Sequence, residues 1–135
     1  MQIALIGPGI MPIPSKDWGA VENLIWDYRI HLKELGHKVD IYNTKDLKSV
    51  AQSINAHDYE FIHLHYDEYI GFFNQCLKKP YCCTSHYGYI LKPEMWGTYY
   101  ETIFKDTLRA PGIIALSERI AQKYRDSGYK SFLHV

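Results

Sequence analysis

The sequence is poor in cysteine and proline and carries no excess of either charge. Its three cysteines, Cys76, Cys82 and Cys83, are an odd number at no metal-like spacing. Adjacent residues on a strand point to opposite faces, so Cys82 and Cys83 make a poor disulfide, and a reducing cytoplasm is the expected setting. Six prolines and nine glycines in 135 residues are too few for a disordered chain. Fifteen Lys and Arg balance fifteen Asp and Glu, for a formal charge of zero. That balance excludes a strongly basic nucleic-acid binder and a polybasic membrane anchor, and no nucleic-acid partner is expected. No apolar run approaches the ~20 residues that cross a bilayer. Met1–Ile6 lacks the positive flank and the length of a secretory signal.

What the sequence does have is alternation. Ile3–Ile6 is a short apolar run stopped by Gly7-Pro8-Gly9, the pattern of a buried strand entering a loop. Val21, Leu24, Ile25, Tyr28, Leu32 and Leu35 then recur at helical steps, and Gly36 ends them as a left-handed cap. Strands are expected again at Val39–Tyr42, Phe61–His65, Tyr81–Ser85 and Gly112–Leu116, with an apolar element starting at Phe132. Helices are expected at Lys45–Ala56, Tyr66–Leu77, Tyr99–Leu108 and, capped by Ser117 and closed by Gly128, after the fifth strand. Strands separated by helices at this spacing imply an α/β domain, a doubly wound parallel sheet with helices on both faces, over residues 1–135.

In such a sheet the ligand crevice lies at the carboxyl ends of the strands. Those ends are Gly7-Pro8-Gly9, Tyr42-Asn43-Thr44, His65-Tyr66-Asp67, Ser85-His86-Tyr87-Gly88 and Leu116-Ser117-Glu118. The first matches the start of a dinucleotide fingerprint, but Pro12 holds the third glycine position and Asn43-Thr44 stands where the ribose-binding acid belongs. No Gly-Lys-Ser/Thr triplet is present, so a Walker A loop is excluded. The small residues of Trp18-Gly19-Ala20-Val21-Glu22 leave backbone N–H groups open to an anion, or serve as a plain helix cap.

His63 and His65 share a strand face; spacing supplies no third metal ligand, and His63 reads as a hydrogen-bonded core histidine. His65 has the better claim to the crevice. His86 is the sharpest candidate: it follows the fourth strand at a tight turn with Tyr87-Gly88, placed to orient or deprotonate a hydroxyl. Tyr87, Tyr89, Trp96, Tyr99 and Tyr100 follow it, as Tyr66, Tyr69, Phe72 and Phe73 follow His65. Aromatic faces beside a polar crevice suit the C–H faces of sugars.

Taken together, Ile3-Ala4-Leu5-Ile6-Gly7-Pro8, Trp18-Gly19-Ala20-Val21-Glu22, Leu35-Gly36-His37-Lys38-Val39, Asp58–His65, Thr84-Ser85-His86-Tyr87-Gly88 and Ile114-Ala115-Leu116-Ser117-Glu118 resemble the N-terminal domain of GT-B glycosyltransferases of family 4. The resemblance runs through essentially the whole chain. It implies the acceptor-side half of a two-domain, metal-independent, retaining enzyme that moves a sugar from a UDP- or GDP-linked donor to a glycan, lipid or other hydroxyl acceptor. It implies a C-terminal donor-binding domain as partner, outside these residues, and no cofactor within them. By position it implies that Trp18, Gly19, Ala20 and Glu22 approach donor phosphate or acceptor, and that Trp18 replaces the first of two glycines frequent in the family. His86 matches the histidine beside the reacting sugars, with His65, Tyr66, Ser85, Tyr87 and Gly88 around it. Ser117 and Glu118 match residues bordering the interdomain cleft. Glu60 and Glu68 share the spacing of the family's paired glutamates but flank the third strand, so they are coincidental. The residues by themselves also admit a stand-alone flavodoxin-like nucleotide-binding module or an interaction module. Membrane contact arises only with a lipid acceptor, and no basic amphipathic helix announces it.

Overall fold

The computed structural model describes residues 1–135. Six strands form one parallel sheet: β1 (Gln2–Ile6), β2 (Lys38–Tyr42), β3 (Phe61–Leu64), β4 (Cys82–Cys83), β5 (Gly112–Ile114) and β6 (Phe132–His134). Their order is β2-β1-β3-β4-β5-β6, so the chain winds outward from β1 to β2 and then reverses to β3. Five helices connect them: α1 (Ala20–Glu34), α2 (Leu47–Ala56), α3 (Ile70–Cys76), α4 (Thr98–Thr107) and α5 (Glu118–Asp126). The domain is α/β and doubly wound, as the alternating pattern predicts. The first five strands follow the flavodoxin-like order of such sheets.

Parity along each strand sorts the core into two layers. Ala4, Ile6, Ile62, Leu64, Cys83 and Ile113 point to one face, where α2, α3, α4 and α5 add Val50, Ile54, Ile70, Phe73, Ile103, Phe104 and Tyr124. This cluster holds 21 buried residues. On the other face Ile3, Leu5 and Val39 meet only Ile25 of α1, with Ile13, Val21, Leu32, Ile41 and Phe61 around them. Each fully buried aliphatic or Phe side chain is worth about 1.5–3 kcal/mol, so the four-helix face carries most of the hydrophobic stabilisation.

Capping follows the residues. Ser117 Oγ accepts from the Ile120 N–H, Asp46 accepts from the Ser49 N–H, and Gly36 and Gly128 take φ of 91° and 95° after α1 and α5. Three expectations need correction. Leu35 and Tyr28 belong to the helical repeat of α1 but are exposed, because α1 covers only β1 and its neighbours. The fourth strand pairs only over Cys82–Cys83; beyond it the ladder continues with one bond, Thr84 N–H to Leu64 O, before side chains take over. The predicted helix over Tyr66–Leu77 opens as a 3₁₀ turn at Asp67–Tyr69 and becomes α-helical only from Ile70, near Gly71.

No helix is long and apolar enough to cross a membrane.

Candidate functional site

The reversal between β1 and β3 places the carboxyl ends of β1, β3 and β4 side by side. The loop after β1 is pinned there by Asn43. Gly9 N–H donates to Asn43 Oδ1 (2.8 Å), and Asn43 Nδ2 donates to Met11 O (2.8 Å). Tyr69 O–H donates to Pro8 O (2.5 Å), tying the same loop to the segment after β3. Ser15 N–H donates to Asn23 Oδ1 (2.9 Å), closing the loop onto α1. The side chain that stands in place of a ribose-binding acid is thus fully engaged in shaping the loop.

At the start of α1, Gly19 has φ 129°, which side chains other than glycine's rarely allow. A Cβ there would stand 2.9 Å from Glu22 Oε2. The backbone N–H groups of Ala20, Val21 and Glu22 make no hydrogen bond. The buried Glu22 carboxylate already lies at this helix end, so an incoming phosphate would meet a negative charge.

The residues after β3 and β4 divide into two clusters, which the sequence read as one. On the side of α1 runs a row of histidines. His63 and His65 rings lie 3.8 Å apart, Tyr28 of α1 packs 5.6 Å from His65, and His65 Nδ1 meets His86 Nε2 at 3.3 Å. Thr84 O–H donates to Ile114 O (2.9 Å), so its single proton is committed. His63 Nε2, 2.7 Å from Thr84 Oγ1, therefore carries the proton of that bond. His65 Nε2 is buried without a partner. A buried orphan acceptor costs less than a buried orphan N–H, so His65 donates through Nδ1 to the lone pair of His86 Nε2. His86 then holds its own proton on Nδ1, which has no partner within the chain.

Burial lowers the pKa of all three, His63 to about 3 and His65 well below the ordinary imidazole value. The mutual repulsion of the row adds to this for His63 and His65. All are neutral at pH 7.

On the four-helix side lies an acid ringed by phenols. Asp67 is buried, and its Oδ2 accepts from Ser85 Oγ and Tyr89 O–H, while Oδ1 has no partner. Burial raises the Asp67 pKa, with the two hydroxyl donors opposing. Tyr66 O–H donates to Glu68 (2.6 Å), and Tyr66 packs on Tyr69 and Tyr87 at 4.7 and 6.4 Å. Burial raises the Tyr87 phenol's pKa, and the charges of Asp67, Glu68 and Glu22 raise it further. Successive side chains after β4 point to opposite sides, which is why Ser85 joins Asp67 and His86 joins His65.

Of the predicted residues, His65, His86, Ser85, Tyr66, Tyr87 and Glu22 are therefore brought to this edge. Trp18, Ser117 and Glu118 share no hydrogen bond or ring contact with either cluster. Trp18 is exposed, Ser117 caps α5, and Glu118 pairs with Arg125 (2.6 Å). Ala20 and Gly88 are exposed, and a Cβ on Gly88 would meet nothing, so the turn after His86 does not need glycine. Glu60 and Glu68 lie at opposite ends of β3, Glu60 accepting from the Gln2 N–H. Asp67 and Thr84 are the residues sequence reasoning passed over, and Tyr89, read there only as one of the aromatics after His86, is a hydrogen-bond donor to Asp67. Asp67 and Thr84 stand at strand ends, where the crevice rule already pointed.

The largest cavity, about 480 Å³, lies between α1 and β2, lined by Trp26, Arg29 and Asp40 and reaching the sheet edge only at Ile13 and Asn43. A smaller one, about 130 Å³, is lined by Tyr87 and Gly88, the residues after His86, with Tyr89, Trp96 and Tyr100. No group of three or more His, Cys, Asp or Glu is arranged to hold a metal ion. No family model matches the chain, and no curated protein matches it.

Proposed function

We propose that residues 1–135 form the N-terminal, acceptor-side domain of a retaining glycosyltransferase whose UDP- or GDP-sugar donor is held by a second domain. The observation that supports this best is the meeting of His65 and His86 at the strand-order reversal, at the mouth of the crevice. His86 acts there as a neutral donor through Nδ1–H, orienting an acceptor hydroxyl or a sugar oxygen. His65 is its positioning residue, fixing the tautomer. With its Nε2 lone pair occupied, His86 is an orienting group rather than a base. The resemblance in sequence supplies the donor class, and the aromatic surroundings suit a sugar ring.

Purified as the whole gene product and offered UDP- and GDP-sugars, the protein is expected to transfer sugar with retention. Residues 1–135 alone are expected to transfer none, for want of the donor half. His86→Ala should lower kcat by about 10²–10³-fold, the usual cost of losing an oriented donor. His65→Ala should lower kcat less and leave KM for the donor unchanged. Robust transfer by residues 1–135 alone, or a His86→Ala enzyme with unaltered kcat, overturns the reading.

The sheet order favours one other reading, a flavodoxin-like nucleotide-binding module. Tight binding of a flavin or NAD by this chain would establish it. The pinned first loop and the absent phosphate fingerprint argue against it.

A further inference from the structure

Beside His86 the chain folds back through 3₁₀ turns at Gly88–Leu91 and Pro93–Met95. They bring Tyr87, Tyr89, Trp96 and Tyr100 around the cavity of about 130 Å³. At ~30 Å³ for each water, that is room for about four. Tyr87 and Tyr89 are stacked at 6.3 Å, Tyr89 and Tyr100 are tilted at 4.7 Å, and Trp96 stands edge-on to Tyr100 at 6.2 Å. The rings thus line one space at several inclinations. Trp96 is 62% exposed and Tyr87 43%, so neither is needed to fill the core.

An aromatic cavity accepts either an apolar head or a cation, and the charges around it distinguish the two. Asp67 is 2% exposed, bonded through Oδ2 to the Tyr89 hydroxyl, and its Oδ1 is unpartnered. Neither Asp67, Glu68 nor Glu22 takes part in an ion pair. All three act electrostatically on Tyr87, and Asp67 on Tyr89. A phenol donating to a carboxylate has a more electron-rich ring, which deepens the negative potential over its face. A neutral head would offer nothing to the unpaired Asp67 carboxyl behind Tyr89, whereas a cation over the rings is attracted by the ring faces and by the carboxyl groups around them.

We propose that the cavity lined by Tyr87, Tyr89, Trp96 and Tyr100, with Asp67 behind Tyr89, is a binding site for an organic cation, the head of a primary or methylated ammonium compound. Because Tyr87 and Gly88 follow His86 directly, the cation belongs to the acceptor of the transfer reaction. That second step rests on the transferase reading; the binding itself does not.

The test is titration of the chain, by calorimetry, with choline and with its neutral carbon isostere 3,3-dimethylbutan-1-ol. Choline is expected to bind at least 10-fold more tightly. Trp96→Ala, at an exposed position, should weaken choline at least 10-fold while the melting temperature stays unchanged. Asp67→Asn should weaken choline and leave the isostere unaffected. Equal binding of the two ligands would make the cavity a plain apolar pocket and overturn the proposal. So would choline binding that Trp96→Ala does not weaken, or no choline binding at all. Choline binding by a protein that transfers no sugar would sustain the site and remove only its role as acceptor.

Discussion

The two faces of the sheet are built differently from the same strands. On β3 the residues facing the four helices are Ile62 and Leu64, while those facing α1 are Phe61 and His63, followed by His65. On one side parity delivers aliphatic groups to a 21-residue core, and on the other it delivers imidazoles to a face covered by a single helix. Beyond α1 that thin face runs out to Phe132 and His134, both exposed. The aliphatic core and the histidine row are thus segregated by the odd or even position of a residue along its strand. The histidines of the thin face can be altered without opening the main core, whereas Tyr66 and Tyr89 belong to that core.

The largest expected effect lies on the thick face. Phe73 is fully buried and packs on Tyr81, and Phe73→Ala should cost about 3–5 kcal/mol in denaturant unfolding. A loss under about 1 kcal/mol would mean that the two faces share the load equally.

The histidine row gives the next effect, in pH rather than by mutation. Unfolded histidines take up protons near pH 6.5, whereas His63 does so only near pH 3 and His65 also well below the ordinary value. Between those limits the unfolded chain binds more protons than the folded one. Stability is therefore full above about pH 6.5 and falls as the pH drops toward 3, by up to ~1.4 kcal/mol per pH unit for each buried histidine. Asp67 acts in the opposite sense, since its raised pKa favours the folded state at low pH. Unfolding midpoints measured across this range should decline, and His63→Gln, which can still donate to Thr84, should flatten the decline. An unchanged slope in that variant would remove His63 from the account.

The smallest effect belongs to the uncovered end of the thin face. Phe132 is 58% exposed, and Phe132→Ser should change stability by no more than about 0.5 kcal/mol. A loss of several kcal/mol would show that this edge is buried in the folded protein in solution.

The fold was largely legible in the sequence because its signals are local. Gly36, Gly128 and Ser117 mark helix boundaries by backbone and capping chemistry that needs no partner, and all three perform as expected. The site was half legible. The strand-end rule located His65, Ser85 and His86, but whether neighbours in sequence cooperate depends on which face each one takes beyond the last ladder bond. That is why Ser85 and His86 were read together and are found bonded to different partners. Asp67 escaped because a carboxylate in sequence looks solvent-exposed, and only the hydroxyls of Ser85 and Tyr89, 18 and 22 residues away, make its burial tolerable. Leu35 was misplaced for the converse reason: helical periodicity shows that a stripe exists, not how far the sheet beneath it extends.

The amide of Asn43 bears on the history open to this fold. In dinucleotide-binding sheets an acid at the end of the second strand grips a ribose. Here the same position both accepts from Gly9 and donates to Met11. An aspartate would keep the first bond and lose the second, loosening the mouth of the crevice before any ribose could reward the exchange. Descent toward a dinucleotide enzyme would first have to find another way to hold the loop, so the substitution that looks simplest on paper is among the last such a lineage could accept.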